Sequence, residues 1–354
     1  MKIAIITDEH FGVRNDSLFF FDYFLKFYDN VYFPYLEKHN IKTVWNLGDV
    51  FDRRKFININ ILNRFKKHIT KRYEDLKIKS FITVGNHDTF HKNSSEVCSV
   101  SEILGYDFNI FRIIKEPTEW TFDGLKVLFV PWINQANEDL SYYHIDNTKA
   151  TVVAGHLQIA GFEVHRGQKC ENGISMEIFN KFDRVFSGHF HHKSSLGNIH
   201  YLGSAAEHTF IDYNDPKGFH IFDTETLELE FIENPYRMFH KIYYDDRGKN
   251  LDEILSEDFS QYNGTYIKVI VTSKTNPYYF EKYIDKLYSE VPADISIIEE
   301  TIYDNSEEMV NEAEDTLTIL GKYVDGLEMD SDKQKIKNIL QKLYVEAQST
   351  DRLG

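Results

Sequence analysis

The sequence predicts a layered α/β protein with helices flanking sheets, followed by a small β-α-β domain and a helical tail. Three observations predict it. Up to about residue 232, short β-rich runs alternate with helical patterns. Polar, chemistry-bearing clusters recur where those runs stop: Asp8-Glu9-His10 after Ile3-Ala4-Ile5-Ile6, Gly48-Asp49 after Thr43-Val44-Trp45-Asn46-Leu47, Asn86-His87-Asp88 after Phe81-Ile82-Thr83-Val84 and Gly85, Gly155-His156 after Thr151-Val152-Val153-Ala154, and Gly188-His189-Phe190-His191 after Arg184-Val185-Phe186-Ser187. Past Asn234-Pro235 the pattern changes, first to strand-helix-strand and then to helix alone.

Between the first two strands, residues 19–38 set Phe20, Phe24, Phe27, Val31 and Leu36 close to helical spacing, an aromatic stripe that belongs in the core. A second helix is expected near 58–73 and a third near 94–104, with Ser94 or Ser95 as its cap. After His191 the pattern returns to strands at 199–202, 218–223 and 227–232. The second domain is read as strand 266–272, helix 278–290 and strand 295–302. Beyond Asp304 one stripe carries Met309, Ala313, Leu317, Leu320 and Val324, and another Ile336, Ile339, Leu340, Leu343 and Ala347, with Ser331 or Asp332 capping the second helix. Such a helical pair either docks on its own domain or offers an apolar face to a partner. The expected divisions are 1–233, 234–304 and 305–354.

With 354 residues and 42% hydrophobic content the chain can bury a large core. A net charge of −16, from 40 basic and 56 acidic residues, argues against coating nucleic acid by bulk attraction. It leaves room for a nucleic-acid enzyme, because bound divalent metals supply positive charge at the reacting phosphate. Arg53-Arg54-Lys55 can hold a backbone locally, while Arg64, Lys66 and Lys67 read as a solvated helix face. Cys98 and Cys170 are too few for a disulfide framework or a thiolate zinc site, which fits a reducing compartment. No apolar run approaches a membrane span, and the first residues open into strand pattern instead of a signal core, so a cytoplasmic location is expected.

Hard oxygen donors and imidazoles at successive strand ends point to a binuclear metal centre that hydrolyses phosphate esters. Two divalent ions about 3.5–4 Å apart need a bridging carboxylate, and together they activate a water and clamp the phosphate. Asp49 is the expected bridge. In an extended segment Asp8 and His10 point the same way and share an ion, while Glu9 points off the site. His189 and His191 are expected on different ions, with Asn86 giving an amide oxygen and His156 an imidazole. This thiolate-free set suits manganese, iron or zinc. His87, beside a ligand and facing the substrate, is the expected general acid, with Asp88 orienting it. The other histidines, His39, His68, His91, His144, His165, His192, His200, His208, His220 and His240, are read as structural or surface residues, and Trp45 and Trp132 as core.

Asp8-Glu9-His10-Phe11-Gly12, Gly48-Asp49-Val50-Phe51-Asp52, Gly85-Asn86-His87-Asp88, Gly155-His156 and Gly188-His189-Phe190-His191 together resemble the ordered motifs of the calcineurin-like metallophosphoesterases. Within that superfamily the chain is most similar to the SbcD-type nucleases of double-strand-break repair, including short bacteriophage forms. The resemblance implies a four-layer α-β-β-α sandwich, a capping domain that helps present DNA, and a manganese-dependent phosphodiesterase. It implies exonuclease action on double-stranded ends and endonuclease action on single strands or hairpins. It also implies a homodimer through the nuclease domain, and C-terminal helices that bind an SMC-like coiled-coil ATPase. Carried over residue by residue, the first ion takes Asp8, His10, Asp49 and His191, and the second Asp49, Asn86, His156 and His189, with His87 as catalytic histidine. One departure stands out. Many cellular relatives carry a second functional histidine where this chain has Asp52. Asp52-Arg53-Arg54 is instead similar to the Gly-Asp-x-x-Asp-Arg pattern of serine/threonine phosphoprotein phosphatases, which makes Arg53 and Arg54 candidate phosphate contacts. That keeps a phosphatase or small-molecule phosphodiesterase open as an alternative. A mainly structural ATPase subunit is a third reading, which the complete ligand set argues against.

Overall fold

A computed structural model describes residues 1–165 and 167–299. The described residues belong to one compact unit. The helical tail expected past Asp304 lies outside the described residues.

Two six-stranded sheets make the framework. In the first, Lys2–Ile6, Thr43–Asn46, Lys79–Thr83 and Phe111–Ile114 run parallel, with Gly218–Asp223 antiparallel beside Lys2–Ile6 and Leu229–Glu233 antiparallel to Gly218–Asp223 at the edge. In the second, Leu125–Val130, Val152–Gly155, Arg184–Ser187 and Ile199–Tyr201 are parallel, and Thr118–Phe122 and Ser194–Leu196 close the edges antiparallel. Strand alternation divides the side chains among three cores. Ile3, Ile5, Trp45, Phe81, Val127, Phe129, Val152 and Ala154 fill the space between the sheets. Ala4, Ile6, Val44 and Ile82 face the other way, against Phe20, Phe24, Phe27 and Tyr28. Leu128, Val130, Val153 and Val185 form the outer face of the second sheet with Ile145 and Phe179. The expected layers are present, although helical cover on that outer face is thin, mainly the ten-residue helix Glu138–Asn147.

The first helical stretch runs through Leu18–Phe27, a π turn at Tyr28–Tyr32, and Phe33–Lys38. The wider turn moves Tyr28 and Tyr32 into the core and leaves Val31 partly exposed, a departure from the regular stripe. The second, Ile59–Phe65 continued by Lys66–Thr70 and Lys71–Asp75, starts where the Asn58 side chain accepts the N–H groups of Asn60 and Ile61. The third helix is shorter than expected, spanning Ser99–Leu104. Ser94–Cys98 is a strand, paired with Thr89–His91 through Thr89 opposite Cys98, so tertiary pairing to the chain leaving Asp88 overrides the helical pattern and neither Ser94 nor Ser95 caps a helix. The strand expected from 227 starts later, at Leu229, because Leu227 sits in a turn with φ 59°.

Residues 239–299 build a third sheet of three parallel strands, Phe239–Asp245, Tyr266–Ser273 and Asp294–Glu299, with Tyr266–Ser273 in the middle. Helix Pro277–Ser289 covers one face, enclosing Ile242, Tyr244, Phe259, Val269, Tyr283 and Leu287. The leading strand is not among those the sequence pattern predicts. It ties this sheet to the first core: Phe239 packs on Phe20 and Phe210, and the buried Glu207 carboxylate accepts the N–H groups of Met238 and Phe239. Among the described residues no helix is long and apolar enough to cross a membrane.

Candidate metal centre

The loop after Lys2–Ile6 is laced to the loop after Thr43–Asn46. Asp8 N–H donates to Gly48 O, His10 N–H to Asp49 O, and Phe11 N–H to Val50 O. Asp8, His10 and Asp49 all adopt left-handed backbone conformations, at φ 52°, 49° and 55°. Such geometry is costly and persists only where its surroundings hold it. It corrects the expected geometry: Asp8 and His10 come together on turned backbone instead of an extended segment. Glu9 turns into the core, where it accepts bonds from Tyr28 and Asn46. Gly85 allows the close approach of the third loop, since a Cβ there would stand 2.2 Å from Asp49 Oδ1.

The donors form two sets. In one, His10 Nε2 stands 3.1 Å from His191 Nε2, 4.0 Å from Asp8 Oδ1 and 3.7 Å from Asp49 Oδ2. In the other, Asn86 Oδ1 stands 2.9 Å from both His156 Nε2 and His189 Nδ1, and His156 Nε2 is 3.3 Å from Asp49 Oδ2. One oxygen of Asp49 therefore faces both sets. Asp8, Asp49 and His156 are almost fully buried. Burial pushes the Asp8 carboxyl above its usual range; it opposes ionisation of Asp49 too, yet His156 holds Asp49 well below that range. Buried carboxylates and imidazole nitrogens converging in this way fit divalent ions, and neighbouring ligands around an ion at about 2.1 Å stand roughly 3 Å apart. His156 gives its Nδ1 proton to Leu47 O at 2.7 Å, which leaves Nε2 free as a donor atom.

His87 is half-buried beside His10, ring centroids 4.7 Å apart. Its Nδ1 donates to the carbonyl of Asp52 at 2.6 Å, and its backbone N–H donates to Asp49 Oδ1 at 2.7 Å. The orienting contact expected of Asp88 is thus made by Asp52. The Asp88 carboxylate is fully engaged elsewhere, accepting the N–H groups of Gly85, Asp49, Val50 and Phe51, so it staples two loops together. Burial, and next the Asp49 charge, push Asp88 up to about 7. The Asp52 carboxylate lies 3.4 Å from His10 Nδ1, on the ring edge opposite the donor set. Arg53 is engaged by Asn15 and Asp16 and lies over Phe56, whereas Arg54 reaches the Thr89 hydroxyl, at 3.4 Å.

Three neighbours of the centre escaped the sequence argument. Trp132, expected in the core like the fully buried Trp45, is half-exposed, with its ring 5.0 Å from that of His189. Lys217 is completely buried and donates to His191 O, Asp212 and Asp215. His208, read as structural, brings its Nδ1 within 3.4 Å of His191 Nδ1. Lys217 and His208 do not follow the end of a buried strand, the local signal that marked the donors; Trp132 does follow one, Leu125–Val130, but an indole is not a metal ligand.

Residues 1–193 match the calcineurin-like phosphoesterase family. Over 350 residues the chain is 30% identical to Exonuclease subunit 1 of Enterobacteria phage T4, covering 98% of this chain and 99% of that one. Over 256 residues it is 25% identical to the SbcD subunit of the SbcCD nuclease of Staphylococcus epidermidis, covering 65% of this chain and 67% of that one. The chain belongs to the calcineurin-like phosphoesterase family and is a metal-dependent phosphodiester hydrolase.

Proposed function

We propose that this chain is a DNA nuclease with two divalent ions, the first held by Asp8, His10, Asp49 and His191 and the second by Asp49, Asn86, His156 and His189. The observation that carries the reading is the position of Asp49 Oδ2, 3.7 Å from His10 Nε2 and 3.3 Å from His156 Nε2, where one carboxylate serves both donor sets. Two ions in such a site activate water and neutralise the phosphate. In hydrolysis a water oxygen bonds to phosphorus and gives a proton to solvent, from which His87 is later reprotonated, as the ester P–O bond opposite it breaks. The leaving oxygen takes a proton from His87 Nε2, while Nδ1–H stays on the Asp52 carbonyl. Because Nδ1 keeps its own proton, the ring gives this one as an imidazolium; burial lowers the His87 pKa and opposes that charged form, while the Asp49 carboxylate beside it favours it. Arg54 adds positive charge near the site, and Arg53, tied to Asp16, contributes less.

The relative that spans almost the whole chain is named an exonuclease subunit, which supports a nuclease. To that the reading adds DNA as the substrate, with exonuclease action on double-stranded ends and endonuclease action on single strands. The remaining parts of the reading are manganese as the working ion, residues 234–304 as a capping domain that presents DNA, and a homodimer through residues 1–233. Residues 305–354 bind an SbcC-type SMC-like ATPase; the staphylococcal relative is named as one subunit of SbcCD. The setting is DNA repair or recombination in the cytoplasm, of the host if the chain is phage-encoded.

The test is a pair of assays on the full chain: manganese-dependent degradation of a linear duplex, and turnover of a phosphomonoester or phosphopeptide. Duplex degradation is expected. Turnover of the small substrates with an intact duplex overturns the reading in favour of a phosphatase. Removal of the residues after 304 is expected to abolish co-purification with the ATPase while cleavage persists, and unchanged co-purification overturns the partner assignment.

A further inference from the structure

His191 has a nitrogen neighbour at each end of its ring. Nε2 faces His10 Nε2 at 3.1 Å and Asp8 Oδ1 at 3.9 Å, on the side of the first donor set. Nδ1 faces Nδ1 of His208 at 3.4 Å. His208 is 2% exposed, its ring edge-on to His10, His191 and Phe24. Its main chain is anchored on both sides: its N–H donates to Asp212 Oδ2 at 2.9 Å, and its carbonyl accepts from Arg14 Nε at 3.3 Å. The buried Lys217 ammonium ties the two histidines together, donating to His191 O at 2.7 Å and to Asp212 Oδ1 at 2.8 Å.

His191, His208 and Asp212 bring three ligand atoms within 4.8 Å of one another, which suggests a further ion. The contacts of Asp212 argue otherwise. One of its oxygens is taken by Lys217 and the other by the N–H groups of His208 and Thr209, so a cation there would have to displace a buried ammonium. The His208 ring needs a different account. Its Nε2 is buried with no hydrogen-bond partner among the described residues. An apolar side chain would fill the same space without that cost. What the imidazole adds is Nδ1.

We propose that His208 is a positioning residue for the first metal ion: its Nδ1 accepts the Nδ1 proton of His191, so that His191 presents an unprotonated Nε2 to the ion. A neutral imidazole carries one proton, and the bond made by one nitrogen decides which state the other is in. With the proton on Nε2, His191 would point an N–H at His10 and close the donor set. His208 selects the other tautomer, and Lys217 holds both main chains in register while it does so.

The inference rests on the reading that Asp8, His10, Asp49 and His191 hold an ion, and the experiment separates the two. The full-length chain, stripped of metal, is titrated with Mn2+ and free ion is followed by electron paramagnetic resonance, for the natural protein, His208→Phe and His208→Asn. Phenylalanine keeps the bulk and removes both nitrogens; asparagine sets an acceptor oxygen near the place of Nδ1. His208→Phe is expected to weaken one of two sites about tenfold to a hundredfold and leave the other unchanged, the size of effect usual for such partners. His208→Asn is expected to recover most of that loss. Two unchanged sites in His208→Phe, or no recovery in His208→Asn, overturn the role of His208 alone. A natural chain that binds fewer than two ions overturns the metal centre and this inference with it. Should His208→Phe fail to fold, nitrogen-15 spectra of the histidine rings in the metal-free natural chain decide: a proton on His191 Nδ1 is expected, and one on Nε2 overturns the proposal.

Discussion

Leu47 holds His156 through a main-chain carbonyl, while His10 and His191, in the other donor set, face the side chains of Asp52 and His208. A carbonyl in that position is fixed by the fold, because Leu47 continues straight from the strand Thr43–Asn46. A carboxylate or a ring depends on one residue and is lost with one substitution. The two halves of the centre should therefore respond differently to mutation. The second stands or falls with the sheet, and the first can be tuned from outside its ligand set.

Asp49 is common to both halves, so Asp49→Asn should abolish the contrast altogether. Cleavage is expected to fall by about a thousandfold or more, with both ions weakened, because the shared charge and its bonds to the loops go together. Loss of only one ion, read by metal analysis of the purified variant, would mean that the halves do not share this carboxylate. His87→Ala is the next largest. It should lower cleavage about a hundredfold with metal content nearly intact, since His87 belongs to neither half. Undiminished cleavage would remove it as the acid.

Asp52 lets the contrast be examined within a single residue. Its carboxylate faces His10, and its carbonyl holds His87. Asp52→Asn changes the first and keeps the second. Affinity for one ion is expected to drop about tenfold, while the rate at saturating metal stays near that of the natural chain. A fall in the saturated rate with both ions in place would show that the carboxylate acts on His87 instead.

This division also explains what could be read from residues alone. Asp8, Asp49, Asn86, His156 and His189 follow apolar runs, and in the structure those runs are buried strands that end at one place. The period of two then sorted Ile3 from Ala4 and Val127 from Leu128 between cores. The supports are different in kind. His208 lies 17 residues past His191, and no pattern of spacing relates a ring in one loop to a ring in another. The π turn at Tyr28–Tyr32 and the hairpin at Ser94–Cys98 were hidden for the same reason, being settled by what packs against them. Phe239–Asp245 was hidden because only Phe239, Ile242 and Tyr244 are buried, which breaks the alternation that marks a strand.

The smallest expected effect concerns Glu207, the residue before His208 and another side-chain brace, this one holding the main chain of Met238 and Phe239. Burial, opposed by those two N–H groups, raises its pKa to about 7, against an ordinary value of 4.5. A carboxyl raised on folding binds its proton more tightly in the folded chain. Its contribution is therefore fully present below about pH 4.5 and is lost as pH rises through about 7. Glu207→Gln keeps an acceptor oxygen and cannot ionise. Relative to the natural chain, the variant should gain stability between pH 5 and pH 8, on the order of 1–3 kcal/mol, or a few degrees in Tm. Glu9 and Asp88, both pushed up to about 7 by burial, titrate in the same window, so the comparison must be the difference between the two proteins at each pH. Parallel melting profiles across that range would mean that Glu207 enters the fold already ionised. The third sheet would then hang on a charged acceptor, and this brace would resemble the fixed carbonyl of Leu47 more than the protonation-sensitive ring of His208.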